Sequence, residues 1–501
     1  MWRDLGISEQ DWGRTPPAVR TALLALQQQV RLMGLRFTAY EQQLASLREQ
    51  VTQVDDLKAK IAELRERLGQ NSSNSSKPPS SDPPSYKAKP PREAKGRKRG
   101  GQPGHQGSAR KLLPAEEVDH LVDLKPASCT GCGRKLRGDD PRPERHQVSE
   151  VPVVRAEVTE YRCHALCCRR CGVVTRADWP AEMPRGAFGP RVQAVVGYLR
   201  GRLGASHRDV VEAMAVLYGL SLSTGGVSAI QQRVSEALGA PVAQACHFVR
   251  QQQSQHVDET GWREAGRLKW LWVNATREVT AFEVLEGRGA DEARRMIETR
   301  AGGIITTDRY GAYNWLAGRR RQVCWAHLAR DFQALAERGG ESKQIGEALL
   351  KQVKRLFHLW HKARDADLPR ERLAASMKSV RRRVKKVLRA GTRCGQRKTE
   401  RTCANILAVE RSLWTFLRVE WVEPTNNAAE RALRRAVLWR RKSFGTQSES
   451  GSRFVGRILT VVQSLRQQGR DVLEYLAGVC RDALSGASRE GLIPKLSPTT
   501  T

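Results

Sequence analysis

SQHVDETGWREAGRLKWLWVNATREVTAFEVLE, residues 254–286, decides the fold. SQHVDET is short and β-compatible. LKWLWVNA (268–275) and VTAFEVLE (279–286) alternate apolar with polar and aromatic residues, the period-two pattern of hairpin strands. GADEARRMIETR (289–300) then reads as an amphipathic helix, and GGIITTD (302–308) as a buried strand. YGAYNWL (310–316) reads as a short helix and RQVCWAH (321–327) as another strand. Three strands, helix, strand, helix, strand predict a mixed α/β sheet that opens as a β-meander. Asp258 then lies on the first strand and Asp308 at the end of the fourth.

Either aspartate alone reads equally as a turn former, and Asp308 as the cap of the helix after it. Together, on a strongly basic chain, they suggest a site for hard divalent cations. Magnesium prefers carboxylate oxygen, and two such ions serve phosphodiester chemistry. A third acid stands in EPTNNAAERALRRA, residues 423–436. Pro424 marks a boundary, Asn427 suits an N-cap, and Glu430 falls three residues later, the capping-box offset. Glu430 therefore either caps a helix or completes the site. Arg434 sits one turn further on the same face, placed to grip a phosphate or to pair with Glu430. His327 in CWAHLARDF is a secondary site candidate, with a structural hydrogen bond at a helix start as the alternative.

The 501 residues hold 86 basic against 53 acidic side chains, a net charge of +33, which points to a polyanionic partner and first to nucleic acid. Aromatic residues are 6% of the chain, so a single-strand stacking platform is not the first expectation. No run of eighteen apolar residues and no secretion signal is visible, and six of the eleven cysteines cluster in 129–171. These features suit a cytoplasmic, nucleoid-associated protein without membrane partners, its cysteines a metal module in a reducing compartment.

Further out, residues 1–68 carry apolar side chains at alternating steps of four and three from Val19 to Leu68, with one stammer between Val54 and Leu57. They predict a coiled coil that joins copies of the chain. Residues 69–111 form a Pro/Ser/Gly-rich basic linker that precludes a packed core. Residues 112–182 hold two knuckles, Cys129-Thr-Gly-Cys132 and Cys168-Arg-Arg-Cys171, separated by 35 residues. They fit a four-thiolate structural zinc site, with Cys163, His164 and Cys167 as competing donors. Residues 183–250 are helical, and His207–Tyr218 with Ser223–Leu238 offers a helix-turn-helix for DNA. The catalytic region spans 251–445, with a basic helical insertion at about 339–422. A C-terminal helical segment and tail fill 446–501.

The chain resembles the insertion-sequence-66 family of bacterial transposases. The resemblance rests on NSSNSSKPPSSD (71–82), GGQPGHQG (100–107), the two knuckles, VDETGW (257–262), TDRYGAYNW (307–315), CWAHLARDF (324–332) and NNAAERALRRAVLWRRKSFG (426–445). It implies a multidomain α+β protein with an N-terminal coiled coil, a small zinc-binding domain, a helical DNA-binding region and a ribonuclease-H-like core. It implies Mg2+ or Mn2+ at an acidic triad of Asp258, Asp308 and Glu430, which cleaves and joins double-stranded DNA at element ends and target. Small accessory proteins encoded by the same element are implied partners. The alternatives are a catalytically inactive or domesticated DNA-binding relative, and a nuclease that hydrolyses without joining.

Overall fold

The computed structural model describes residues 6–71, 74, 110–180, 183, 186–297, 303–487 and 491–494. Nearly all of the basic linker at 69–111 lies outside the described residues. The chain falls into two compact units, one of residues 1–86 with 330–347 and one of 87–329 with 348–501. Among the described residues no helix is long and apolar enough to cross a membrane.

In the first unit α1 (Glu9–Arg14) starts at Ser8, whose hydroxyl accepts the Asp11 N–H. α2 (Pro17–Leu68) begins on a proline and runs for 52 residues, about 78 Å at 1.5 Å per residue. It passes through the stammer without a break. The seam expected from the sequence lies in the open: Val19, Leu26, Val30, Met33 and Phe37 through to Leu68 are 45–81% exposed.

In the second unit a short antiparallel hairpin, β1 (Ala165–Cys167) and β2 (Val174–Arg176), brackets the second cysteine knuckle. α3 (Pro190–Tyr198) continues through a π-helical turn, Leu199–Leu203, into α4 (His207–Tyr218), α5 (Thr224–Ala237) and α6 (Gly239–Gln251). α4 opens on a capping box between Ser206 and Asp209 and ends on left-handed Gly219, so its limits match the sequence expectation.

The sheet follows: β3 (Ser254–Glu264), β4 (Arg267–Ala275), β5 (Thr280–Leu285), α7 (Ala290–Met296), β6 (Ile304–Thr307) and β7 (Arg321–Val323). Its strand order is β5-β4-β3-β6-β7. β3, β4 and β5 pair antiparallel, and β6 and β7 run parallel to β3. Alternation along β4 sorts its side chains between two layers. Leu271, Val273 and Ala275 join a core built with α3–α6 and three helices from the C-terminal part of the chain. Trp272 points the other way, to Val257, Ala293, Met296, Ile305 and Tyr313. Its indole meets Tyr313 edge-on at 6.2 Å and donates to the Gly287 carbonyl at 3.0 Å. Burying each such side chain contributes about 1.5–3 kcal/mol, so both faces of the sheet are held.

Two local expectations change. RQVCWAH is not one strand: β7 stops at Val323, and α8 (Trp325–Glu337) starts two residues later. YGAYNWL makes only a 3-10 turn, Gly311–Tyr313, around the buried Arg321 guanidinium, which donates to the Asp308, Tyr310 and Tyr313 carbonyls.

The helical insertion consists of α9 (Gly340–Asp365), α10 (Arg370–Gly391), α11 (Arg397–Ala408) and a 3-10 segment, Glu410–Leu417. On α10 Leu373, Met377, Val380, Val384 and Leu388 are buried, while Arg382, Arg383 and Lys386 face solvent. Arg381 is already engaged, 3.0 Å from Glu410 and over the Trp414 ring. The 3-10 segment docks back on β7, where the Thr415 hydroxyl donates to Arg321 O at 2.7 Å. α12 (Asn427–Ser443), α13 (Glu449–Gln467) and α14 (Val472–Ser485) complete the layer over the sheet.

Candidate metal-binding carboxylate site

His256 on β3 stands opposite Thr306 on β6 in the parallel pair. Two residues further along lie Asp258, within β3, and Asp308, one residue past the end of β6. The Asp258 carboxylate accepts the Glu259 N–H at 2.9 Å, and that of Asp308 accepts the Tyr310 N–H at 2.9 Å. Asp308 is 7% exposed and Asp258 is half-buried. The Asp258 carboxyl is pushed well above the usual carboxylate range, first by burial and then by the negative charges of Glu259, Asp308 and Glu430. Three acids thus press on one.

Glu430 reaches this place through Asn426. The sequence suggests Asn427 as the N-cap, with Glu430 closing a capping box. The structure corrects this: the cap is Asn426, and its side chain makes no capping bond. Its carbonyl accepts the Glu430 N–H at 3.2 Å, which starts α12. Its side chain turns into the core instead. The amide nitrogen donates to Val257 O at 2.8 Å, and the amide oxygen lies 3.2 Å from His256 Nδ1. Its backbone N–H donates to the Cys324 sulfur at 3.2 Å, and Trp325 N–H donates to Pro424 O at 2.9 Å. The chain therefore leaves for the insertion and returns from it at one point, beside the Asp258 strand. That closure answers how 122 positions can separate Asp308 from Glu430.

Local sequence reading passes over the supports beneath the site. Glu259, 7% exposed, pairs with Arg288 at 2.6 Å and accepts the Tyr313 hydroxyl. Arg288 in turn lies over Tyr310 at 3.9 Å and Trp270 at 4.8 Å. Arg321, 1% exposed, donates to Thr307 Oγ1 at 3.0 Å and Asp308 O at 2.8 Å, and burial lowers its pKa to about 10. VDETGW and TDRYGAYNW carry several of these groups, but nothing local marks a buried charge.

Among the described residues, the group of three or more potential metal ligands with donor atoms within 4.8 Å of one another is Cys324, His327 and Glu430. His327 is 9% exposed, with Nδ1 3.5 Å from Glu430 Oε1. The charges of Asp308 and Glu430 both bear on Asp258, but among the described residues these three do not form such a group. Glu430 thus stands between two sets of donors.

The model of the Transposase IS66 family matches residues 185–453, more than half of the 501 residues. The chain belongs to the IS66 transposase family. A second match, to a family of unknown function (DUF6444), covers residues 16–111. The chain is also similar to three uncharacterised proteins of Sinorhizobium fredii (strain NBRC 101917 / NGR234). It is 26% identical to y4qI over 72% of this chain and 71% of that protein. It is 23% identical to y4jD over 79% and 83%, and 26% identical to y4hP over 74% and 73%.

Each cysteine pair of this IS66-family chain forms a knuckle. Gly133 N–H donates to Cys129 O at 2.9 Å, and Gly172 N–H to Cys168 O at 2.8 Å. Gly133 and Gly172 sit at φ +73° and +72°, the left-handed turn that favours glycine. The Cys129 thiol is lowered by the Gly131 and Cys132 N–H groups, and Cys168 by those of Cys171 and Arg170. The thiols of Cys163 and Cys167 point instead to carbonyls, Ala177 O at 2.9 Å and Gly172 O at 3.4 Å. The four knuckle sulfurs are not gathered into one group of donors. Arg434 stands exposed on α12, one turn beyond Glu430.

Proposed function

We propose that this chain is a DNA transposase that cleaves the ends of an insertion sequence and joins them to target DNA. The observation that carries the reading is Asp258 on β3 beside Asp308 at the end of the parallel β6, both Asp308 and Glu430 being close enough to raise the Asp258 carboxyl. A sheet of order β5-β4-β3-β6-β7, a meander followed by two parallel strands, supports a ribonuclease-H-like core.

The donor set fits hard divalent cations: carboxylate oxygens pressed together, with their repulsion relieved by positive charge. Asp258, Asp308 and Glu430 would hold Mg2+ or Mn2+. When bound, such ions supply activation of the nucleophile and stabilisation of the leaving oxygen. Asn426 fixes where Glu430 starts relative to the Asp258 strand. Arg321 fixes the turn after Asp308, and Glu259 behind the site pairs with Arg288 and accepts the Tyr313 hydroxyl. Exposed cations on α10, and Arg434, suit phosphate contacts. The Cys129, Cys132, Cys168 and Cys171 knuckles suit structural zinc. The exposed seam of α2 suits pairing with a second copy of the chain, which would bring two element ends together.

A supercoiled donor plasmid carrying the element ends, incubated with and without Mg2+, tests the reading. Cleaved and joined products are expected from the native chain. None are expected from D258N, D308N or E430Q, while end binding persists. Full cleavage by E430Q would overturn the assignment.

A further inference from the structure

The Cys324, His327 and Glu430 cluster offers donors that a magnesium site does not use. Cys324 is 0% exposed, at the start of α8, and its sulfur accepts the Asn426 N–H. The N–H groups of His327 and Ala326 also bear on it. Such a nest of donors suits a negative sulfur. Burial nevertheless pushes the thiol up to about 12, so at neutral pH the sulfur keeps its proton. A thiophilic cation displaces that proton to solvent as it binds. His327, one turn along, is buried, and its Nδ1 makes no hydrogen bond. A tetrahedral ion with bonds of about 2.0–2.1 Å holds two N/O donors roughly 3.3 Å apart. His327 Nδ1 and Glu430 Oε1 already lie at 3.5 Å.

We propose that Cys324, His327 and Glu430 form a three-ligand site for a thiophilic divalent cation of the zinc class. Sulfur and imidazole donors select against magnesium and favour zinc or cobalt. Glu430 Oε1 lies on the His327 side, so a soft ion there draws charge from the carboxylate that Glu430 offers Asp258 and Asp308 and lowers cleavage. That consequence rests on the proposed function; the binding site itself does not.

The test is a Co2+ titration of the full-length protein, with its knuckle metals left as purified. One equivalent per chain with a thiolate-to-cobalt absorption band is expected. The band is lost in both C324S and H327Q, with circular dichroism checking that each variant is folded. A band retained in either folded variant overturns the site. D258N keeps the band, because Asp258 is not a ligand. Failure of the catalytic reading appears separately, as Mg2+-dependent cleavage by D258N.

Discussion

Replacing Asn426 with alanine tests whether the site depends on the tie between α12 and β3. Asn426 is fully buried and makes two side-chain interactions, to Val257 O at 2.8 Å and to His256 Nδ1 at 3.2 Å. Each lost hydrogen bond costs about 0.5–1.5 kcal/mol, and a buried group left without a partner costs about 1–3 kcal/mol. N426A should therefore destabilise the unit by roughly 2–4 kcal/mol, a fall in Tm of about 2–5 °C for a unit of this size. N426D should be worse. It keeps an acceptor for His256 but loses the donor to Val257 and adds a negative charge beside three others. Thermal unfolding by circular dichroism measures the first effect, and donor-plasmid cleavage at a permissive temperature the second. Cleavage should fall further than the remaining folded fraction explains, because Glu430 loses its reference to Asp258. A melting temperature within about 1 °C of the native chain would refute the tie, since it is below the smallest fall these bonds imply.

Asp258 carries a pH signature. Its folded pKa is raised, so between the unfolded value, about 3.9, and the folded one the native state binds more protons and stability falls as pH rises. In metal-free buffer D258N should melt higher than the native chain at neutral pH, with the gap closing as pH falls towards about 4; a gap constant with pH would contradict this. Lysine at both Leu44 and Leu47, each 54% exposed on the α2 seam, should lower the mass measured by light scattering to that of a single chain. Reversing Arg382, Arg383 and Lys386 should reduce the slope of log binding constant against log salt by about 0.9 for each phosphate that these cations no longer neutralise. Reversing Arg381 should instead lower stability, because that cation is bound to Glu410.

Periodic features were legible and long-range polar ones were not. The alternation of LKWLWVNA became β4 because each side of the strand meets a separate apolar layer. Val19–Leu68 became one helix because the heptad pattern is local. Asn426 looked like a neighbour of the cap because capping rules see only four residues, whereas its partners lie 169 and 170 positions away. Arg321 and Glu259 sit in the interior, where charged side chains are rare, so no pattern of polarity predicts them. His327 was a candidate in the sequence, but Cys324 was not, and the third member of their cluster arrives from beyond the insertion.

The same supports explain how the fold tolerates a cluster of acids. At an effective dielectric of 20, two like charges about 5 Å apart repel by roughly 3 kcal/mol. Four unscreened carboxylates would therefore take up a large share of the typical net stability of about 5–15 kcal/mol. The protein gives one of the four, Glu259, partners that offset its charge. Glu259 is held by Arg288 and Tyr313, and Arg288 is held in turn by two aromatic faces. Arg321 brings a second buried positive charge to the Asp308 turn. Repulsion is thus offset on the inner side, though Glu259 still bears on Asp258, and it stands among Asp258, Asp308 and Glu430. Neutralising the inner side by mutation, as in R288M, should therefore raise the Asp258 pKa further and weaken folding without touching a residue that faces DNA.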